Sequence, residues 1–197
     1  PYTMTDFWFY IKLGLEHVLD LGAYDHILFL AALAVPFSFK EWKKVVVLAT
    51  IFTIAHCTSL ALSAYNILTV DVGLIEFLIP VTIALTALFN IYRLQKEKGH
   101  AGILFSSLAT AFFGLIHGFG FSNYSNMLMA EEENKLSQLL GFATGIELSQ
   151  VAIILIVLLM VWLLQDVFGL KKRYFVLGSS ILIVLITIPM LSDTFPF

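Results

Sequence analysis

Long apolar segments dominate this chain and constrain its fold more than any other feature. They lie near residues 6–20, 24–39, 43–65, 73–93, 101–122, 137–165 and 174–191. Each of the last five is long enough, as a helix, to cross about 30 Å of hydrocarbon. None alternates between apolar and polar residues for long, as the strands of a membrane barrel would. The sequence therefore predicts an all-α, polytopic membrane helix bundle of about seven transmembrane helices, forming a single domain over residues 1–197.

The composition agrees with a lipid bilayer as the main surroundings of the chain. Hydrophobic residues make up 59% and charged residues only 13%, whereas a soluble domain has about 25% charged residues. The net charge of −3 is not that of a nucleic-acid-binding protein. The single cysteine, Cys57, excludes an intramolecular disulfide. Nothing in the composition indicates an oligomeric state.

The first two segments differ from the rest. The second is short and contains Pro36, and the first contains Asp6, Lys12, Glu16 and His17. On a helical wheel the polar residues of the first segment fall on one face and its apolar residues on the other. This pattern fits a membrane helix with one face on a polar interior, and it also fits an amphipathic helix lying at the membrane surface.

Basic residues in the loops predict the orientation of the chain. Nine of the 11 lysines and arginines lie in three alternate loops, namely Lys40, Lys43, Lys44, Arg93, Lys96, Lys98, Lys171, Lys172 and Arg173. Loops rich in lysine and arginine usually remain on the cytoplasmic side. With seven spans, this pattern predicts an amino terminus inside and a carboxyl terminus outside.

Seven ionisable residues fall within the predicted spans: His17, Asp25, His26, His56, Glu76, His117 and Glu147. With the predicted orientation all seven lie in the outer half of the bilayer, although they are scattered through the sequence. Ionisable groups at that depth are costly and usually face a bundle interior or a pathway. Taken singly, a histidine is as often a hydrogen-bonded packing residue, and Glu76 also fits a charge at a helix amino terminus. His100 is predicted to be solvated in an inner loop.

The residue types at this shared depth indicate a metal ion. Imidazoles combined with carboxylates favour a divalent transition metal, here nickel, cobalt or zinc. Calcium would prefer a cage made only of oxygen atoms, and a thiolate site is not expected with Cys57 as the only thiol. The sequence therefore predicts that all seven residues form a metal site, with no further cofactor.

Five sequence blocks resemble, in order, those of the HupE/UreJ family, in particular its second branch. They read EHVLDLGAYDHILFLAAL, FTIAHCTSLAL, IEFLIPVTIALTALFN, FGLIHGFGFS and GFATGIELSQ, and they cover most of the chain. The resemblance implies a small polytopic protein of the bacterial inner membrane, of the kind described as nickel or cobalt permeases linked to hydrogenase and urease.

The family's hallmark, a histidine followed within a few residues by Asp-His, falls on His17, Asp25 and His26. The resemblance implies that these three recognise the metal, while His56, Glu76, His117 and Glu147 match further blocks. Seven residues separate His17 from Asp25, whereas the permeases of the family use five. The two additional residues either lengthen the turn and leave the ligands together, or move His17 away from the metal.

Three functions are compatible with the sequence. The leading hypothesis is a permease for a divalent transition metal, not an enzyme. The second is an intramembrane zinc-dependent hydrolase, in which three histidines bind the metal and a carboxylate handles the proton of its bound water. The third is an accessory membrane subunit in which a metal has a structural role.

Overall fold

The computed structural model describes residues 4–95, 103–129 and 135–196, with no account of the side chains of residues 4–6, 103, 128 and 129. All secondary structure in these ranges is helical. The α-helices are α1 Met4–Leu19, α2 Asp25–Ala34, α3 Trp42–Ala64, α4 Val72–Gln95, α5 Ile103–Met129, α6 Lys135–Trp162 and α7 Lys172–Asp193. A 3₁₀ turn, Phe39–Glu41, precedes α3, and a π-helical turn, Leu163–Val167, ends α6.

Five of these helices, α3 to α7, are long and apolar enough to cross a membrane. The all-helical membrane architecture expected from the sequence is thus confirmed at this level. At 1.5 Å per residue α1 is about 24 Å long and α2 only about 15 Å. Since the hydrocarbon layer is about 30 Å thick, α2 cannot cross it alone.

Glycines allow two pairs of helices to pack unusually closely. A Cβ atom at Gly118 of α5 would collide with the backbone of His56 and the hydroxyl of Ser59 in α3. One at Gly145 of α6 would collide with the carbonyl oxygen of Ile11 in α1. Small residues at such positions let membrane helices approach through their backbones. The α3–α5 and α1–α6 pairs are therefore the closest packed parts of the bundle.

Contacts between helices establish their relative directions. The Lys135 ammonium donates to the carbonyl oxygen of Ala64, and Gln150 contacts Thr53, so α6 is antiparallel to α3. Along α6, Gly141 contacts Phe7, and the Ser149 hydroxyl lies 3.3 Å from the carbonyl oxygen of Leu15. Residue numbers thus rise together in α1 and α6, and α1 runs parallel to α6.

The second helix runs in the same direction as the first. The His26 ring contacts the ring of Phe52 near the start of α2, and the Asn90 amide donates to the carbonyl oxygen of Ala32 near its end. In α3 the order is reversed, because Phe29 stacks on Phe52 while His26 also reaches His56, further along that helix. Both α1 and α2 are therefore antiparallel to α3, and residues 20–24 form a break between them.

This arrangement corrects the prediction of two antiparallel spans at the amino-terminal end. Together α1 and α2 have the length of one crossing, interrupted at the level of His56 and not at one end of the bundle. The start of α1 then lies at the same end of the bundle as the start of α6. The described helices do not confirm the predicted orientation of the termini, because α1 does not run in the direction that it required.

The buried apolar residues form two cores. One is built around Phe142, Ile146 and Ile154 of α6, with residues of α1 and α3. The other is built around Phe29 of α2 and Ile83 of α4, with residues of α3, α5 and α7. The histidines singled out in the sequence lie between the two cores.

Candidate metal site

His17 and His26 lie on opposite sides of the break between α1 and α2. His17 is in the last turn of α1, and His26 is the second residue of α2. The break places the two rings 4.6 Å apart, centroid to centroid. The longer spacing of this motif therefore leaves His17 beside the Asp25–His26 pair.

His56 completes a group of three imidazoles. It projects from α3 and is fully buried, with its ring 5.7 Å from that of His17 and 5.6 Å from that of His26. One nitrogen atom of each of the three rings lies within 4.8 Å of the others. Tetrahedral ligands with bonds of 2.0–2.1 Å would be about 3.4 Å apart. Small rotations of the side chains would bring the three nitrogen atoms to that separation.

His117 of α5 is the fourth imidazole at this level. Its ring is buried and lies 5.4 Å from that of His26. Its Nδ1 is 2.9 Å from the carbonyl oxygen of Phe113, which can only accept, so Nδ1 carries the hydrogen. The Nε2 atom of His117 is then the one with a free lone pair, as a metal ligand requires.

Asp25 fixes the tautomer of His26 in the same way. Its Oδ1 accepts from Nδ1 of His26 at 3.1 Å and from the backbone N–H of His26 at 2.8 Å. Nδ1 of His26 therefore carries the hydrogen and Nε2 offers a lone pair. A carboxylate behind a histidine in this manner orients the ring and raises its basicity as a ligand.

Several buried ring nitrogen atoms of these histidines have no partner among the described residues. They are Nε2 of His17, His26 and His117, and both ring nitrogens of His56. Buried polar atoms in folded proteins are almost always hydrogen-bonded, so unsatisfied ones need a reason. A bound cation would give a partner to one nitrogen atom of each of His17, His26 and His56, which already lie close together.

Aromatic side chains surround these imidazoles. The ring of Phe121 lies 4.0 Å from that of His17 and is stacked on Phe142. On the other side, Phe29 and Phe52 stack on each other and both contact the His117 ring. Such a shell excludes water and lowers the local dielectric, which strengthens the attraction between a cation and Asp25.

Two cavities approach the imidazoles from different directions. An open groove of about 710 Å³ lies beside the break and is lined by His17, Glu16 and Asp20, among others. A second cavity, of about 250 Å³, lies beyond Phe29 and Phe113 and is lined in part by Thr86, Asn90, Ser106 and Thr110. These four residues of α4 and α5 bring hydroxyl and amide groups to its wall.

Glu147 lies apart from the imidazoles. Its Oε1 accepts from the Thr50 hydroxyl at 2.6 Å, and its Oε2 from the Thr53 hydroxyl at 2.7 Å. It is not in the group of ligand atoms formed by His17, His26 and His56. The structure therefore does not bring Glu147 together with these three histidines.

Glu76 is also outside this group. Its side chain is exposed near the start of α4, and it belongs to no ligand cluster found in the described ranges. His100, predicted to be solvated, lies outside the described residues. The residues brought together are thus the four histidines and Asp25.

Sequence reasoning missed two parts of this arrangement. It did not single out Thr50, because that residue lies beside the stripe of α3 on which Thr53, His56, Ser59 and Ser63 were placed. It also read residues 20–24 as an outer turn. The one sequence feature that indicated a break inside the bundle was the shortness of the apolar stretch that ends at Pro36.

Comparisons with known proteins agree with the sequence resemblance. The family model described as HupE / UreJ protein matches residues 2–192, nearly the whole chain. No curated protein and no solved structure matches the chain. The chain belongs to the HupE/UreJ family.

Proposed function

We propose that this member of the HupE/UreJ family is a permease for a divalent transition metal ion, nickel, cobalt or zinc, in the bacterial inner membrane. The metal would bind to His17, His26, His56 and His117, with Asp25 behind His26. The observation that carries the proposal is the set of buried imidazole nitrogens that have no partner among the described residues. The family, which is linked to nickel and cobalt handling, supports the same class of ion.

The site chemistry suits a cation that arrives hydrated. The groove beside His17 contains the carboxylates of Glu16 and Asp20, which attract a cation before it loses water. The imidazoles then replace its water ligands, and the Asp25 carboxylate offsets part of its charge. Nitrogen ligands favour nickel, cobalt and zinc over magnesium and calcium, so the site binds the transition metals more tightly than the hard cations.

Release would require the ion to pass a layer of aromatic rings. Phe29 and Phe113 lie between His117 and the cavity that contains Thr86, Asn90 and Thr110. The hydroxyl and amide oxygens there offer weaker ligands than imidazole, which favours departure. With the cavity on the cytoplasmic side, as the loops predict, the membrane potential contributes about 2.3 kcal/mol per charge per 100 mV.

Metal flux into proteoliposomes tests this function. Purified protein would be reconstituted with an enclosed dye that is quenched by Co²⁺ or Ni²⁺. We expect quenching with the unmodified protein, none with His26→Ala, and full quenching with Glu76→Gln, whose side chain is exposed and outside the group of histidine ligand atoms. Equal flux in vesicles with and without the protein would refute the permease.

The same imidazoles support a second candidate, a zinc-dependent intramembrane hydrolase. The favouring observation is the group of three histidine nitrogens within 4.8 Å, the ligand number of a catalytic zinc that keeps one position for water. Zn²⁺-loaded protein would then hydrolyse ester or amide bonds of added lipids, whereas Asp25→Asn and His26→Ala would not. Metal flux without hydrolysis would reject this candidate.

A further inference from the structure

Glu147 lies in a small cluster of oxygen atoms between α3 and α6. Its two carboxylate oxygens accept from the hydroxyls of Thr50 and Thr53. The Oε1 atom of Gln150 lies 3.3 Å from the Thr53 hydroxyl, and the Gln150 side chain is fully buried. We call Glu147, Thr50, Thr53 and Gln150 the oxygen cluster.

The oxygen cluster has fewer hydrogens than its contacts need. The Thr50 hydroxyl is within hydrogen-bond distance of Glu147 and of the Val46 carbonyl oxygen, 3.0 Å away. The Thr53 hydroxyl has three such acceptors: Glu147, Gln150 and the carbonyl oxygen of Ala49, 3.2 Å away. A hydroxyl has only one hydrogen. Two hydrogens therefore serve five acceptor contacts. The cluster is short of hydrogen-bond donors, and a positive charge within it would offset that shortage.

None of the described side chains supplies that charge. The ion pairs found in the described part of the chain are Lys12–Glu16, His26–Asp25 and Lys44–Glu41, and none includes Glu147. An isolated carboxylate is expensive at membrane depth, where such groups pair with a cation or line a pathway. The Gln150 side chain is buried, and the contact of its Oε1 atom with the Thr53 hydroxyl places that oxygen in the cluster.

We propose that the oxygen cluster is a binding site for a monovalent hard cation, Na⁺, separate from the imidazole site. One carboxylate surrounded by neutral oxygens balances a single positive charge. Ligands that are all oxygen suit a hard cation, whereas nickel and cobalt prefer imidazole. The assignment does not depend on which ion the imidazoles bind.

Binding requires only a small rearrangement of the two threonines. Each hydroxyl hydrogen turns from Glu147 to the carbonyl oxygen four residues earlier, of Val46 or Ala49, which already lies within reach. The hydroxyl lone pairs and both carboxylate oxygens then face the cation. Gln150 contributes its Oε1 atom, so the site has five oxygen ligands from two helices.

The oxygen cluster shares α3 with the imidazole site but is directed toward a different helix. Thr53 is one turn from His56, and its hydroxyl faces Glu147 and Gln150 of α6, whereas the His56 ring faces His17 and His26 of α1 and α2. Sodium would thus bind beside the transition metal and could be measured independently of it.

Direct binding of ²²Na⁺ to the purified full-length protein tests the proposal. Scintillation proximity measurements in choline chloride should give about one Na⁺ per chain. Thr53→Val and Glu147→Gln should each weaken binding at least about tenfold, or about 1.4 kcal/mol. Thr53→Ser, which keeps the hydroxyl, should restore it.

Thr58→Val is the matched control. Thr58 is on the same helix and donates to the carbonyl oxygen four residues earlier, but it is exposed and contacts no carboxylate. Its substitution should leave Na⁺ binding unchanged. Retained Co²⁺ binding by each variant shows that it is folded, and His26→Ala should bind Na⁺ normally.

Two results would overturn the assignment. One is the absence of saturable ²²Na⁺ binding to protein that binds Co²⁺, which would leave the cluster as hydrogen-bonded packing around a protonated Glu147. The other is equal loss of binding in Thr53→Val and Thr58→Val. A failure of metal flux with intact Na⁺ binding would count against the permease alone.

Discussion

Thr53 and His56 are one turn apart on α3, and they belong to two sites of opposite chemistry. His56 and the three histidines around it carry ring nitrogen atoms that have no partner among the described residues. Around Thr53 it gathers oxygen atoms that share too few hydrogens. The imidazole site joins α1, α2, α3 and α5, whereas the oxygen cluster joins only α3 and α6.

The comparison shows that a common depth in the membrane does not make a common site. Glu147 and the histidines were grouped by depth, but the direction in which each side chain leaves its helix separates them. His56 points toward the break between α1 and α2, and Thr53 points toward α6. The helix that each side chain faces therefore decides which group of residues it joins, and one helix can contribute to two such groups.

The largest expected effect that tests this division is the loss of an imidazole. His26→Ala should weaken Co²⁺ binding by at least about 1000-fold, or about 4 kcal/mol. The reason is that the His26 ring contacts the rings of the other three histidines and is also hydrogen-bonded to Asp25. Titration calorimetry, with visible absorption of bound Co²⁺, measures it. A loss below tenfold would remove His26 from the site.

Substitution of the carboxylate behind His26 should have a smaller effect. Asp25→Asn keeps the shape of the side chain but removes the charge that holds the Nδ1 hydrogen, and such changes cost about 10–100-fold in metal affinity. The same Co²⁺ titration measures it. An affinity equal to that of His26→Ala would make Asp25 a direct ligand and not a partner of His26.

Close packing beside His117 provides a third test, read as stability. Gly118→Ala places a Cβ atom against the backbone of His56, and overpacking of this kind costs about 1–3 kcal/mol. We expect a lower melting temperature and weaker Co²⁺ binding, since α5 carries His117. Gly178→Ala, where a Cβ atom meets open space, is the control. Equal melting temperatures for both variants would contradict the close α3–α5 contact.

The smallest expected effect is also the sharpest test of the division. Glu147→Gln should change Co²⁺ affinity by no more than about twofold, or about 0.4 kcal/mol, because Glu147 is bonded to Thr50 and Thr53 and not to an imidazole. The measurement is the titration used for His26→Ala. A loss comparable to that of Asp25→Asn would join the two sites into one.

Much of the bundle was predictable because a long apolar segment in a bilayer forms a helix, which satisfies its own backbone hydrogen bonds. Four of the five long helices begin and end within three residues of the segments read from the sequence, and α5 ends seven residues beyond its segment. The meeting of His17, Asp25, His26, His56 and His117 was also within reach. Their common depth required an explanation, and the family hallmark already joined three of them.

The direction of α1 was not predictable by the same reasoning. No basic loop separates α1 from α2, so the charge pattern that oriented the other helices says nothing about the turn between them. The sequence Leu-Asp-Leu-Gly-Ala-Tyr reads as a turn equally well inside a bundle or at its surface. The direction follows only from contacts such as Gly145 with Ile11, which are long-range in sequence.

The break at residues 20–24 has a consequence for water. A continuous helix satisfies its own backbone groups, but a break inside a membrane exposes N–H and C=O groups that lipid cannot hydrogen-bond. Within this break the N–H of Gly22 donates to the Asp20 carboxylate at 2.7 Å and that of Ala23 to the Asp20 carbonyl oxygen at 3.3 Å. Residues 20–24 are exposed beside the groove, so water in the groove would satisfy the remaining backbone groups. An ion reaching the imidazoles through such water would cross only part of the hydrocarbon layer.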